Sequence, residues 1–202
     1  MEKAKRKTMV VVYAGPNGSG KSTITSMLDP VGEYINADDI KMVNNCSDLE
    51  AAEFAQNRRE HCIANHKDFT FETVLSTKRN LELLKAAKAN DYFIRCFYVL
   101  TASSDVNVAR VQNRVNNGGH GVPEEKIRSR YDKALTLIPE LIPVCDICNI
   151  YDNTENLFRI FSKKLDTFRL WENDFWSKDK IIALTKQDEQ YMQIFLKSQS
   201  EY

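Results

Sequence analysis

Short apolar runs alternate with longer amphipathic stretches along most of the chain, regularly enough to lay out an architecture. Met9–Ala14 is an uninterrupted apolar, β-branched run, as expected of a strand covered on both faces. Further strands are expected at Tyr34–Ala37, Phe69–Glu72, Tyr92–Leu100 and Cys145–Tyr151. Helical patterns lie between them, at about Asp48 to His66, Thr77 to Ala89, Ser104 to Val115 and Pro123 to Leu141. Ser103, Ser104 and Asp105 are capping candidates, Pro123 suits a first helical turn, and Glu124 and Glu125 follow where acidic side chains oppose the helix dipole. Such alternation predicts an α/β fold, a mostly parallel five-stranded sheet with helices on both faces, with ligands bound beyond the carboxyl ends of the strands. After Asp152 the pattern changes. Leu157–Phe161 and Thr167–Trp171 read as a hairpin, and Lys180–Lys197 as a terminal helix with a stripe at Ile181, Leu184, Gln187, Tyr191, Ile194 and Phe195. The expectation is one domain over 1–202, with its core at about 8–155 and an elaboration at 156–202.

Within this frame, residues 15–22 read Gly-Pro-Asn-Gly-Ser-Gly-Lys-Ser, the G-x-x-x-x-G-K-[ST] spacing of a phosphate-binding loop. A buried strand precedes it, and Ser22–Leu28 can open a helix. In this context Gly15, Pro16, Asn17, Gly18, Ser19, Gly20, Lys21, Ser22 and Thr23 form a cradle of N–H groups at a helix start. Lys21 would reach the β- and γ-phosphates of a nucleoside triphosphate, and the Ser22 hydroxyl would ligate Mg²⁺. The alternative for the segment alone is a flexible Gly/Ser turn.

Composition narrows the partners. Lys+Arg and Asp+Glu both total 28 in 202 residues, and this balance counts against bulk nucleic-acid or anionic-membrane binding. No run approaches the length of a membrane span, and the basic start Met1–Lys7 leads straight into the phosphate loop, so the reading is a cytoplasmic protein. Cys145 and Cys148 form a lone C-x-x-C with no second pair to complete a zinc site, so they read as small core residues, with a redox role as the alternative.

Other residues must choose the chemistry. Asp38 and Asp39 follow the second strand, where a carboxylate can take the proton of a substrate hydroxyl and help hold Mg²⁺; Asp38 is the first choice, and the alternative is a helix cap. Glu72 ends the third strand and would bind substrate hydroxyls. Arg110 and Arg114 share a helix face and lead into Gly118-Gly119-His120-Gly121, the pattern of a lid that brings guanidinium charge to a transferring phosphoryl group. A solvated basic face is the alternative. Arg128 and Arg130 face different ways, so at most one joins them. No Asn-Lys-x-Asp and no Leu-Ser-Gly-Gly-Gln is present, which counts against a guanine-specific switch and a transporter ATPase.

With these motifs the chain resembles the zeta-toxin family of P-loop kinases, in particular its compact members. The resemblance rests on Gly15–Ser22, Asn36-Ala37-Asp38, Phe71-Glu72-Thr73-Val74-Leu75-Ser76, Arg114 through Pro123 to Arg130-Tyr131, and Tyr151-Asp152-Asn153. It implies a P-loop NTPase fold and an ATP- and Mg²⁺-dependent kinase acting on a hydroxyl of UDP-N-acetylglucosamine or a related UDP-sugar. By motif position Lys21 binds phosphate, Asp38 is the general base and a metal ligand with Ser22, and Arg114 is a lid arginine. Glu72 matches a substrate-binding glutamate, and Thr73, Asp39, His120, Arg128 and Arg130 are further acceptor-side candidates. Larger zeta toxins have Gly-Thr where this chain has Thr73-Val74, and a second lid arginine near His120. An antitoxin protein is a possible partner by the same resemblance. A nucleotide-gated binding module and a polynucleotide 5′-kinase stand as alternative readings.

Overall fold

The computed structural model describes residues 6–187 and 192–195. Its centre is β1 (Met9–Ala14), flanked by β3 (Phe69–Thr73) and β4 (Phe93–Leu100), with β2 (Glu33–Ile35) beyond β3 and β5 (Ile147–Asp152) beyond β4. These five strands are parallel, as expected. Both faces are covered, which is why their sequences show so little polar alternation. Val10, Val12 and Ala14 face the larger core with Phe69, Phe71 and Tyr98, packed by α3 (Asp48–Ala64), α4 (Lys78–Ala89) and α7 (Ile138–Val144). Val11 and Tyr13 face the smaller one with Phe97, Val99 and Ile24 of α1 (Lys21–Thr25). Cys96, Cys145 and Cys148 are buried free thiols in the larger core, in line with the small-residue reading of the C-x-x-C.

Several boundaries differ from expectation for local reasons. The helix opened by the phosphate loop ends at Thr25 instead of running to Leu28. The helix expected from Pro123 to Leu141 is two. α6 (Glu124–Thr136) starts after Pro123, which sits at the N-cap, and α7 begins afresh at Ile138 because Pro139 has no N–H to continue the ladder. Ser103 occupies the N-cap of α5 (Ser104–Asn116) but makes no capping bond; Ser104 and Asp105 instead receive the Arg128 guanidinium. By contrast, α2 (Ala37–Asn44) is capped by Asn36, which accepts from the Asp38 N–H at 3.0 Å, and α3 by a Ser47–Glu50 capping box.

The larger correction is C-terminal. The expected hairpin forms as β6 (Phe158–Lys164) and β7 (Thr167–Trp171), but it continues the main sheet antiparallel from β5, with Ile150 opposite Phe161. The terminal helix is shorter. α8 (Lys178–Thr185) stops at Lys186, which is left-handed at φ 50° with its N–H on the Ile182 carbonyl. Met192–Phe195 then form β8, parallel to β7, so the sheet has eight strands in the order β2-β3-β1-β4-β5-β6-β7-β8. Tyr191 of the anticipated stripe lies outside the described residues.

Candidate active site

The loop between β1 and α1 crosses the carboxyl end of the sheet, and later segments fix its shape. The Asn107 carboxamide of α5, fully buried, donates to the Asn17 carbonyl at 2.7 Å, and Thr101 Oγ1 donates to Asn107 Oδ1. Asn153, just past β5, donates to the Ser19 carbonyl at 2.9 Å. Two glycines are required by these approaches. A Cβ on Gly18 would stand 2.5 Å from the Asn107 carbonyl oxygen, and one on Gly20 would stand 2.2 Å from Asn153 Nδ2. Both also have positive φ, 78° and 89°. The Asn17 and Ser19 carbonyls are thus both held by amides from outside the loop.

Lys21 opens α1 and folds back, donating to the carbonyls of Gly15 at 2.8 Å and Pro16 at 3.1 Å. Burial pushes its pKa down to about 8; Glu72 and Asp38 act in the opposite sense, and Arg114 adds to the lowering. Charged groups from β3, α2 and α5 are therefore felt at one ammonium. Glu72, partly buried, accepts from Tyr34 Oη of β2 at 2.6 Å, and burial together with this bond raises the Tyr34 pKa. Asn36 donates to the same hydroxyl at 3.4 Å, linking the residue that caps α2 to the Glu72 pair. Asp38 and Asp39 are both exposed in the first turn of α2. The Asp38 N–H is the group capped by Asn36, so its carboxylate is free of capping duty. Asp39 borders a shallow cavity lined also by Tyr34, Asn36 and Arg58.

The candidate arginines separate. Arg114 ends α5 facing solvent, within electrostatic reach of Lys21. Arg130 donates to Asn17 Oδ1 at 3.3 Å, so of the 128/130 pair it is the one that meets the loop. Arg110 donates to the Thr154 carbonyl at 3.0 Å, on the Asn153 side. Arg128 is not brought in: Glu124 and Asp105 hold its guanidinium at 2.9 and 2.6 Å. His120 stands exposed in the segment after α5. Thr73 is not open to a substrate either. Its hydroxyl oxygen accepts from the Leu75 N–H at 2.9 Å and from Asn80 Nδ2 at 2.7 Å, and it serves the β3–α4 turn. Pro16 lies in the loop, and Ser22 and Thr23 in the first turn of α1, with Ser22 exposed.

Tyr34 and Asn107 were not signalled by the sequence, and Asn153 only as part of a matching tripeptide. The all-oxygen donor set of Ser22 and Asp38 fits a hard cation that keeps most of its water, as Mg²⁺ does.

This fold is similar to that of two solved structures. The PezAT chromosomal toxin–antitoxin system of Streptococcus pneumoniae superposes with a TM-score of 0.54 at 13% identity, covering 94% of this chain and 83% of that one. The AvrRxo1-ORF1:-ORF2 structure with ATP superposes with a TM-score of 0.64 at 12% identity, over 81% of this chain and 60% of that longer one. No family model matches the sequence. The chain belongs to the family of an uncharacterized protein from Haemophilus influenzae, with which it is 33% identical over 127 residues, 60% of this chain and 91% of the relative. Among the described residues no helix is long and apolar enough to cross a membrane.

Proposed function

We propose that the chain is an ATP-dependent phosphotransferase that moves a γ-phosphoryl group to a hydroxyl of a small acceptor. The observation that carries this is a phosphate-binding loop held by Asn107 and Asn153 with Lys21 folded onto its carbonyls, an ammonium that Glu72, Asp38 and Arg114 reach electrostatically. On binding, Lys21 exchanges the carbonyls of Gly15 and Pro16 for the β- and γ-phosphates. Asp38 takes the acceptor's hydroxyl proton, the freed oxygen attacks the γ-phosphorus, and the bond to the bridging oxygen breaks to release ADP. Arg114 and Arg130 offset the charge carried by the transferring group. Glu72, oriented by Tyr34, accepts hydrogen bonds from the acceptor's other hydroxyls. Mg²⁺ would be held by Ser22 and Asp38 and supplies charge neutralisation to the phosphates when bound.

A UDP-sugar such as UDP-N-acetylglucosamine is the acceptor implied by the zeta-toxin resemblance. ATP as donor is supported by the ATP-bound AvrRxo1 neighbour. An antitoxin partner belongs to the same reading. One neighbour is a toxin–antitoxin system and the other a complex of two proteins, and Met42, Val43, Leu49 and Phe54 present exposed apolar side chains on α2 and α3. The deciding experiment measures ADP release with Mg²⁺ and ATP, alone and with UDP-sugars, nucleosides and oligonucleotides, beside Lys21→Ala and Asp38→Asn. Acceptor-dependent ADP and a phosphorylated UDP-sugar, lost in both variants, are expected. Turnover that survives Asp38→Asn would remove the assigned base, and turnover with the oligonucleotide alone would replace the acceptor class.

A further inference from the structure

Just past Glu72 the structure has a second concentration of positive charge, which the phosphate loop does not use. α4 is a twelve-residue helix whose N-cap, Thr77, makes no side-chain capping bond, and its first turn has no acidic residue. That turn instead carries Lys78 and Arg79, the wrong sign for a helix N-terminus by itself. Lys78 is paired with Glu140 at 3.3 Å, whereas the exposed Arg79 has no hydrogen bond or ion pair among the described residues. Arg59 of α3, within electrostatic reach of Arg79, is only 7% exposed, its guanidinium 4.9 Å over the Phe71 ring. Arg59 Nε has no partner, and Nη2 has only a long 3.5 Å approach to Gln56 Oε1. Burial lowers the Arg59 pKa to about 10; Arg79 lowers it further, and Glu60 opposes this weakly. Glu60 in turn receives Gln56 Nε2.

Asn80 completes the group. Thr73 lies two positions beyond Phe71 on the same face of β3, and its oxygen accepts from both Leu75 and Asn80, which leaves the hydroxyl proton without an acceptor. Asn80 Oδ1 is buried and also lacks a partner. Turning the Asn80 amide over cures both faults: Thr73 then donates to Oδ1, and Nδ2 becomes the unused group. Every orphan at this spot is then a donor, set beside an uncapped helix start and two arginines that repel each other. Two like charges and a row of free N–H groups are stabilised together by an oxyanion.

We propose that Arg59, Arg79, Asn80 and the N-terminus of α4 form a second anion subsite, which takes a phosphate group carried by the acceptor. The phosphate-bearing acceptor rests on the kinase reading; the anion subsite itself does not. Arg79 forms the exposed mouth and Arg59 the buried floor, so the acceptor would lie across the end of β3 with its hydroxyl toward Asp38.

The test uses the whole chain. Lys21→Ala, which disables the phosphate loop, is titrated with inorganic phosphate by calorimetry at low ionic strength, with and without Arg79→Gln. Saturable binding, weakened at least tenfold by the exposed Arg79→Gln change, is expected. Arg59→Lys keeps the charge but loses Nε, and should weaken binding severalfold. Phosphate binding indifferent to Arg79→Gln overturns the subsite. In the second arm, Arg79→Gln alone should raise KM at least tenfold for phosphate-bearing acceptors and leave both phosphate-free acceptors and ATP affinity unchanged. An unchanged KM beside lost phosphate binding would mean that the subsite takes a free anion, and would overturn the acceptor assignment. If no acceptor turns over at all, the kinase reading falls, and the calorimetric arm still decides the subsite.

Discussion

Lys21 is charged at neutral pH in a place that disfavours charge. Its folded-state pKa, about 8, lies below that of a lysine in the unfolded chain, so between the two values the folded form holds fewer protons. Stability of the nucleotide-free protein should therefore rise with pH from about 8 to about 10.5, an increment that denaturant melts across that range would detect and Lys21→Ala would remove. Binding a triphosphate surrounds the same ammonium with anionic oxygens and draws its pKa back up. Calorimetry in two buffers of different ionisation enthalpy should show net proton uptake near pH 8.5 and almost none below pH 7. Asp38 carries the opposite kind of expectation. Asp38→Asn should reduce transfer by about 10²- to 10⁴-fold and weaken ATP binding far less, because the carboxylate is needed for the acceptor's proton while Ser22 and Lys21 still serve the phosphates.

At the level of elements, the phosphate loop is a short segment shaped by three others. Removing the Asn153 amide with Asn153→Ala frees the Ser19 carbonyl, and we expect about tenfold weaker nucleotide binding with about 1 kcal/mol of lost stability. Gly20→Ala is more severe, since the new methyl meets Asn153 Nδ2 at 2.2 Å on a backbone of φ 89°; nucleotide binding should be abolished, as equilibrium dialysis would show. The loop itself could be read directly in the sequence because its determinants are contiguous. Asp38, Glu72 and Arg114 were legible too, each as a charged residue at a predicted element end. Asn107 and Tyr34 were not. Each is one polar side chain whose meaning depends on a partner 90 or 38 positions away. Thr73 misled for the reverse reason: a hydroxyl beside a binding carboxylate looks available until Leu75 and Asn80 claim it.

Across the whole molecule, the parallel core was legible strand by strand because burial on both faces leaves continuous apolar runs. The far side was not. Lys180–Lys197 carries a helical stripe, yet the helix ends at a left-handed Lys186, and Met192–Phe195 pair with the edge of β7. The hairpin, taken for an appendage, is part of the sheet, with Ile160 and Phe161 fully buried. Phe161→Ala should thus cost about 3–5 kcal/mol in urea melts, a core penalty and not a surface one. Leu165→Asn at the hairpin turn, where φ is 52°, should be neutral or slightly stabilising.

The two amides that clamp the phosphate loop also set an order in time. Asn107 and Asn153 sit 90 and 134 residues downstream of the carbonyls they hold, and translation delivers them last. A growing chain therefore displays the entire eight-residue motif long before it can grip a nucleotide. A ribosome-stalled chain ending near residue 145 should ignore ATP, and one extended far enough to expose Asn153 beyond the exit tunnel should bind it. The capacity to handle phosphate would then arrive as a late step in synthesis, after most of the sheet has been laid down.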